Sequence, residues 1–125
     1  MAKLKILVID DDYSFAAFAK LLIDSGGYEA IISLDSEEGI ALAKTENPRA
    51  ILLDAGMPGV SGCEAIQRLK ADPCTRKIPI ILCSITQQKS EISQALQLGA
   101  LHFLPKPLNP GELKARLDEA VALDQ

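Results

Sequence analysis

Five short apolar runs, each followed by a segment of mixed polarity with helical spacing, constrain this chain more than any other feature. Leu4 to Ile9 is apolar apart from Lys5. The stretch from Tyr13 to Ser25 then places Phe15, Phe18, Ala19 and Leu22 at helical intervals and stops at Gly26-Gly27. Tyr28 to Ser33 reads as a second strand, followed by a helix from about Ser36 to Thr45 that Asn47-Pro48 closes. Ala50 to Leu53 is the third strand, and Ser61-Gly-Cys-Glu64 has the spacing of a capping box that opens a helix to about Ala71. Ile78 to Cys83 is the fourth strand, with a fourth helix from Gln87 to Leu98 capped by Gly99. Ala100 to Leu104 is the fifth, and Asn109-Pro-Gly-Glu112 opens a last helix with Leu113, Leu117, Ala120 and Val121 on one face. Strand–helix units in series can bury both kinds of element only as a parallel sheet covered on both faces. Strands one, three and four lack the alternation of a half-exposed strand, as doubly covered strands should. In strand five His102 and Phe103 face opposite ways, which suits an edge.

At 125 residues the chain is expected to form one domain spanning 1–125. With 48% hydrophobic and 24% charged residues and a formal net charge of −4, it carries no basic stripe. Nucleic acid is therefore not an expected partner of this segment. No apolar stretch reaches membrane-spanning length, and the N-terminus enters a strand pattern at once, so neither a membrane nor a secretory signal is expected. Cys63, Cys74 and Cys83 are odd in number and lack metal-ligand spacing, which fits a reducing, cytoplasmic setting.

In open parallel sheets ligands bind beyond the carboxyl ends of the strands. Strand one ends in Asp10-Asp11-Asp12, strand three in Asp54 and strand four in Ser84, while strand five is followed by Pro105-Lys106-Pro107. One rim thus gathers carboxylates, a hydroxyl and an ammonium. Carboxylates suit Mg²⁺, a hard cation, whereas zinc would call for His or Cys beside these acids. One carboxylate can act as a nucleophile toward phosphorus, and an ammonium and a hydroxyl can take the other phosphoryl oxygens. Taken alone, an aspartate at a strand end is more often a turn or a cap, and a lone lysine more often a solvated charge. Their convergence on one rim is what promotes them. Asp12 is expected only to cap the first helix.

These residues resemble the receiver domain of bacterial two-component response regulators along the whole chain. The resemblance rests on Asp10-Asp11 after strand one, on Asp54-Ala-Gly-Met57-Pro58-Gly-Val-Ser-Gly62, on Ser84 ending strand four, and on Phe103 three residues before Lys106-Pro107. It implies a single doubly wound, flavodoxin-like α/β fold: a five-stranded parallel sheet in the order 2-1-3-4-5 with five helices. It further implies that Asp54 accepts a phosphoryl group from a phosphohistidine on a sensor histidine kinase or histidine phosphotransfer protein. Asp11, Asp54 and the Gly56 carbonyl would hold Mg²⁺, with Asp10 acting through a metal-bound water. Ser84 and Lys106 would contact phosphoryl oxygens, and Lys106-Pro107 would be a cis peptide. Ser84 and Phe103 would switch the surface formed by helix 4, strand 5 and helix 5. The output would be a separate protein or an effector domain outside this segment. Such a chain is a phosphoacceptor rather than an enzyme, apart from catalysing its own phosphoryl transfer and slow autodephosphorylation. Two positions depart from the family: Ile85 follows Ser84 where a small residue is usual and could narrow access to Asp54, and Gly56, two past the acceptor, offers no side chain to position a hydrolytic water. Phe103 also lacks the hydroxyl that many relatives carry as tyrosine.

Other readings compete. Asp10-Asp11-Asp12-Tyr13-Ser14 also fits the D-x-D-x-[ST] loop of haloacid-dehalogenase-like phosphatases, which would make Asp10 the nucleophile of a small Mg²⁺-dependent phosphohydrolase. Against that stand the short chain and the lack of a second late acidic pair. A flavodoxin-like ligand-binding module would need a phosphate cradle where three carboxylates stand. A degenerate, unphosphorylated scaffold is hard to reconcile with the intact acid, hydroxyl and lysine set.

Overall fold

The computed structural model describes residues 2–86 and 88–123. The strands are β1 (Lys5–Ile9), β2 (Glu29–Ser33), β3 (Ala50–Asp54), β4 (Ile80–Ser84) and β5 (His102–Pro105). Between and after them run α1 (Tyr13–Ser25), α2 (Ser36–Glu46), α3 (Gly62–Ala71), α4 (Lys89–Leu98) and α5 (Pro110–Val121). The strands are parallel and lie in the order β2-β1-β3-β4-β5. Every residue of β3 and β4 is buried, as is β1 beyond Lys5, so these central strands are covered on both faces.

The sheet divides the core into two layers. On one side α1 and α5 cover Ile6, Val8, Leu52, Ile81 and Leu104. On the other, α2, α3 and α4 cover Leu7, Ile9, Ile51, Leu53 and Leu82. Alternate residues of each strand feed opposite layers, the two-residue period of extended backbone. Where a helix must lie very close, the chain uses small residues. A Cβ at Gly39 of α2 would sit 2.6 Å from Ile9 Cδ1. The buried line of α1 is Ala16, Ala19 and Ile23, while Phe18 is largely exposed and Phe15 and Leu22 lie at the margin. The apolar face of α1 is therefore rotated from the one that the large side chains suggest.

Local chemistry sets the helix ends. Asp12, Asp35, Ser61 and Asn109 each accept a bond from the backbone N–H three residues on. Gly99 closes α4 at φ 119°, a left-handed conformation that glycine adopts without Cβ strain. The expected start of α4 at Gln87 lies outside the described residues, and the described helix begins at Lys89. β4 and β5 begin two residues later than the apolar runs. The Ile78 N–H bonds back to the Thr75 carbonyl and the Ala100 N–H to Ala95, which removes both from the ladder. On the edge strand β5, Phe103 joins the α2–α4 layer while His102 turns to the other face. Rather than facing open solvent, His102 is half-buried, with Nε2 3.3 Å from Glu119 Oε1 on α5.

Tyr28, at the head of β2, donates its hydroxyl to the Asp118 carboxylate on α5. Burial of the phenol, reinforced by that bond and the carboxylate charge, pushes its pKa up to about 12. The folded state thus keeps a proton that the unfolded chain releases first, so this pair's contribution to stability declines as pH rises from 10 toward 12. Spectrophotometric titration should resolve one phenol ionising near 12 in the folded protein. Tyr28→Phe should remove that step and flatten the alkaline fall of the urea midpoint.

Candidate functional site

The carboxyl ends of β1, β3 and β5 meet at one end of the sheet. Asp10 follows β1, Asp54 is the last residue of β3, and Lys106 follows β5. Backbone bonds fix the rim: the Lys106 N–H donates to the Ser84 carbonyl at 2.9 Å and the Ala55 N–H to the Cys83 carbonyl at 2.8 Å. The result is an open cleft of about 230 Å³ lined by Asp10, Asp11, Asp12, Asp54, Gly56, Ser84, Ile85 and Lys106.

Asp10, Asp11 and Asp54 bring carboxylate oxygens within 4.8 Å of one another. Like charges this close repel one another, most strongly between the two buried members, Asp10 and Asp54. Lys106 offsets part of this, with Nζ 2.8 Å from Asp10 Oδ2 and 3.3 Å from Asp54 Oδ1. Three carboxylates against one ammonium leave two negative charges, the complement of a divalent cation. The donor set fits Mg²⁺: all three groups are hard oxygens, and oxygens on opposite sides of one Mg²⁺ lie about 4 Å apart. The cluster includes neither His nor Cys.

The three acids differ in environment. Asp10 is buried, its Oδ1 accepting from the Asp12 N–H at 2.9 Å and its Oδ2 from Lys106. Burial raises its pKa above the ordinary aspartate value, and the negative charge of Asp54 adds to the rise; the bonds from Lys106 and Asp12 only partly oppose it. Asp11 is exposed on the cleft wall. Asp54 is 8% exposed, and its Oδ1 accepts from the Gly56 N–H at 3.3 Å. Burial works against the charge on Lys106, yet its bond to Asp10 and the charges of Asp10 and Asp54 outweigh that and hold its pKa above the usual lysine value. Ser84 is buried, and its Oγ accepts from the Thr86 N–H at 3.1 Å. Cys83, one residue earlier, is held as a neutral thiol by burial, its pKa pushed up to about 12.

All the sequence-derived rim residues except Phe103 meet in this cleft. Phe103 lies on β5 opposite Leu82, half-buried against the α2–α4 layer. The Lys106-Pro107 bond is cis. Ile85 is 82% exposed and stands on the cleft margin instead of filling it.

Three supports escaped the sequence reading. Ser36, buried at the start of α2, donates to the Val60 carbonyl at 3.1 Å and so tethers the loop carrying Gly56 and Met57. Gly62 lets α3 start against that same loop, because a Cβ there would lie 2.7 Å from Ala55 Cα. Phe15 places its ring beneath the Lys106 ammonium, 4.1 Å from centroid to Nζ. Only the Asp12–Phe15 capping interval hinted at that last contact.

A doubly wound parallel sheet with acids on β1 and β3 and a lysine after β5 defines a class of α/β domains built for phosphoryl chemistry on a carboxylate. Residues 6–118 match the model of the response regulator receiver domain. The chain belongs to that family, the phosphoacceptor modules of two-component signalling. The phosphate regulon transcriptional regulatory protein PhoB of Pseudomonas aeruginosa is 35% identical over 112 residues, 90% of this chain and 49% of that protein. Response regulator PleD of Caulobacter vibrioides is 34% identical over 113 residues, 90% of this chain and 25% of that protein. The chain thus spans half or less of these curated relatives. Chemotaxis protein CheY4 of Vibrio cholerae has a structure matching at a TM-score of 0.89 and 25% identity, over 95% of this chain and 99% of that one. Among the described residues, no helix is long and apolar enough to cross a membrane.

Two outcomes test this geometry. Gly62→Ala should destabilise the protein by about 1–3 kcal/mol, because the atom met is backbone and cannot swing aside; urea unfolding measures it. Because Asp10 is more basic in the folded state, its contribution to stability falls as pH rises from the ordinary aspartate value through its raised folded value. In metal-free protein its carboxyl ¹³C resonance should titrate above the usual aspartate range, and Lys106→Met should move it higher still.

Proposed function

We propose that Asp54 is the phosphoacceptor of this receiver, taking a phosphoryl group from a phosphohistidine on a partner protein. The observation that carries this reading is the pairing of Lys106 with both Asp10 and Asp54 inside an open cleft. Asp54 has one oxygen engaged by Lys106 and the Gly56 N–H and remains at the cleft surface. Asp10 has both oxygens occupied and is 1% exposed, which argues against it as the nucleophile of a phosphohydrolase.

An Asp54 oxygen attacks phosphorus, forming a P–O bond as the P–N bond to the donor imidazole breaks. The imidazole nitrogen keeps the electron pair of that bond and takes up a proton. Lys106 is already at the acceptor carboxylate, and its ammonium turns toward charge on the transferred oxygens. Ser84 supplies a hydroxyl from the neighbouring strand end. Asp11, Asp54 and the Gly56 carbonyl would hold Mg²⁺, with Asp10 in support through a metal-bound water. Bound there, the ion neutralises charge on the acceptor and the phosphoryl group.

The signal leaves by a local change of bonding. Ser84 now accepts from Thr86, and phosphoryl oxygens give its hydroxyl a partner to donate to. Turning toward them alters the space beside Phe103, on the face formed by α4, β5 and α5. Phe103 has no hydroxyl to keep at the surface, so its half-buried position in the unphosphorylated protein fits an inward state that is populated beforehand. The output partner is then a protein docking on that face, or an effector domain joined to this segment. The working compartment is the cytoplasm.

Incubation with Mg²⁺ and a small acyl-phosphate donor should add one phosphoryl mass to the wild type and none to Asp54→Asn. Lys106→Met should slow labelling by about a hundredfold, the usual effect of deleting one charge-stabilising donor. Mg²⁺ should raise the urea midpoint of the wild type, and Asp11→Asn should abolish that response. Full labelling of Asp54→Asn, or phosphate recovered on Asp10, would refute the assignment.

A further inference from the structure

We propose that Phe15 is a positioning residue for the phosphoryl site, its ring face holding the Lys106 ammonium against the Asp10–Asp54 edge of the cleft. The inference rests on the reading of Lys106 as a contact for phosphoryl oxygens. Lys106 is attached by a flexible four-carbon stem, and nothing in the stem itself selects one direction. Its surroundings do. The ammonium meets Asp10 Oδ2 at 2.8 Å and Asp54 Oδ1 at 3.3 Å, and the Phe15 centroid lies 4.1 Å away. The side chain is only 13% exposed, so the ammonium meets these groups with little water between.

A benzene face carries partial negative charge and attracts a cation, most strongly where water is excluded. Unlike a third carboxylate, it takes no proton, ligates no metal and adds nothing to the cluster's negative charge. It therefore fixes the lysine without competing with a phosphoryl oxygen for the ammonium. A leucine of similar bulk would fill the space but leave that side of the ammonium desolvated against methyl groups.

The ring is itself tied to the acidic run. The Phe15 N–H donates to Asp12 Oδ1 at 3.2 Å, and the Asp12 N–H donates to Asp10 Oδ1 at 2.9 Å. Phe15 is half-buried against the layer under α1 and α5. The capping aspartate thus links the first turn of α1, which carries this ring, to Asp10.

Three proteins separate the clamp from mere packing: Phe15→Leu, Phe15→Tyr, and a chain with fluorinated phenylalanine at position 15, which keeps the shape while weakening the negative face. Lys106 ε-methylene protons should lie upfield in the wild type by ring current and return to the ordinary lysine position in Phe15→Leu. The initial labelling rate at saturating Mg²⁺ should fall about three- to tenfold in Phe15→Leu, the range expected for losing one cation–π contact. Its Mg²⁺ affinity should stay as in the wild type, and its urea midpoint should fall only slightly, leaving it fully folded under the labelling conditions. Phe15→Tyr should restore both the upfield shift and the rate, and fluorination should give an intermediate rate. Labelling of Phe15→Leu at the wild-type rate would overturn the inference, as would a rate indifferent to fluorination. A wild type that takes up no label would instead overturn the functional reading beneath it.

Discussion

Like charges brought together at the end of the sheet, and the single ammonium that tolerates them, set the terms for the rest of the molecule. Asp10 and Asp54 come from strands that pair directly, so the sheet cannot form without bringing their carboxylates close. Lys106 is delivered from two strands away and lies between them. The arrangement is balanced only in part. It keeps surplus negative charge in a cleft open enough for a cation to enter, and it leaves an acid whose ionisation folding opposes.

Around this cluster the fold spends its most exact packing on the backbone. Loops that hold reactive groups are pinned by contacts of the plainest kind: Ser36 on the Val60 carbonyl, Gly62 against Ala55, and Lys106 N–H on the Ser84 carbonyl. These devices use few charged side chains, so they do not disturb the field in the cleft. The outer face of the domain is different. Its ion pairs, such as Arg68 with Glu37 and Lys114 with Asp118, are exposed and contribute little each.

Much of this was legible before folding. Helix starts were written as Asp12, Ser61 and Asn109 because an N-cap depends only on the next three residues. The rim residues were legible because a parallel sheet puts every strand's carboxyl end on one side. Errors arose where a local bond competed with a pattern. Ile78 and Ala100 look like strand residues, yet each N–H closes a turn or a helix end and is lost to the ladder. Phe18 looked like core, but the sheet approaches α1 along its alanines, and a large ring fits only at the edge.

The sequence by itself determined the order and kind of the elements, the helix caps and the set of groups on the functional rim, because each follows from periodicity or from neighbours within a turn. Only the tertiary structure decided that Asp10 is engaged at both oxygens, that His102 turns to Glu119, and that an aromatic ring lies under Lys106. Those facts depend on distances between groups on different elements, 96 residues apart for Asp10 and Lys106, which no local pattern records. They are fixed when the two helical layers close on the sheet.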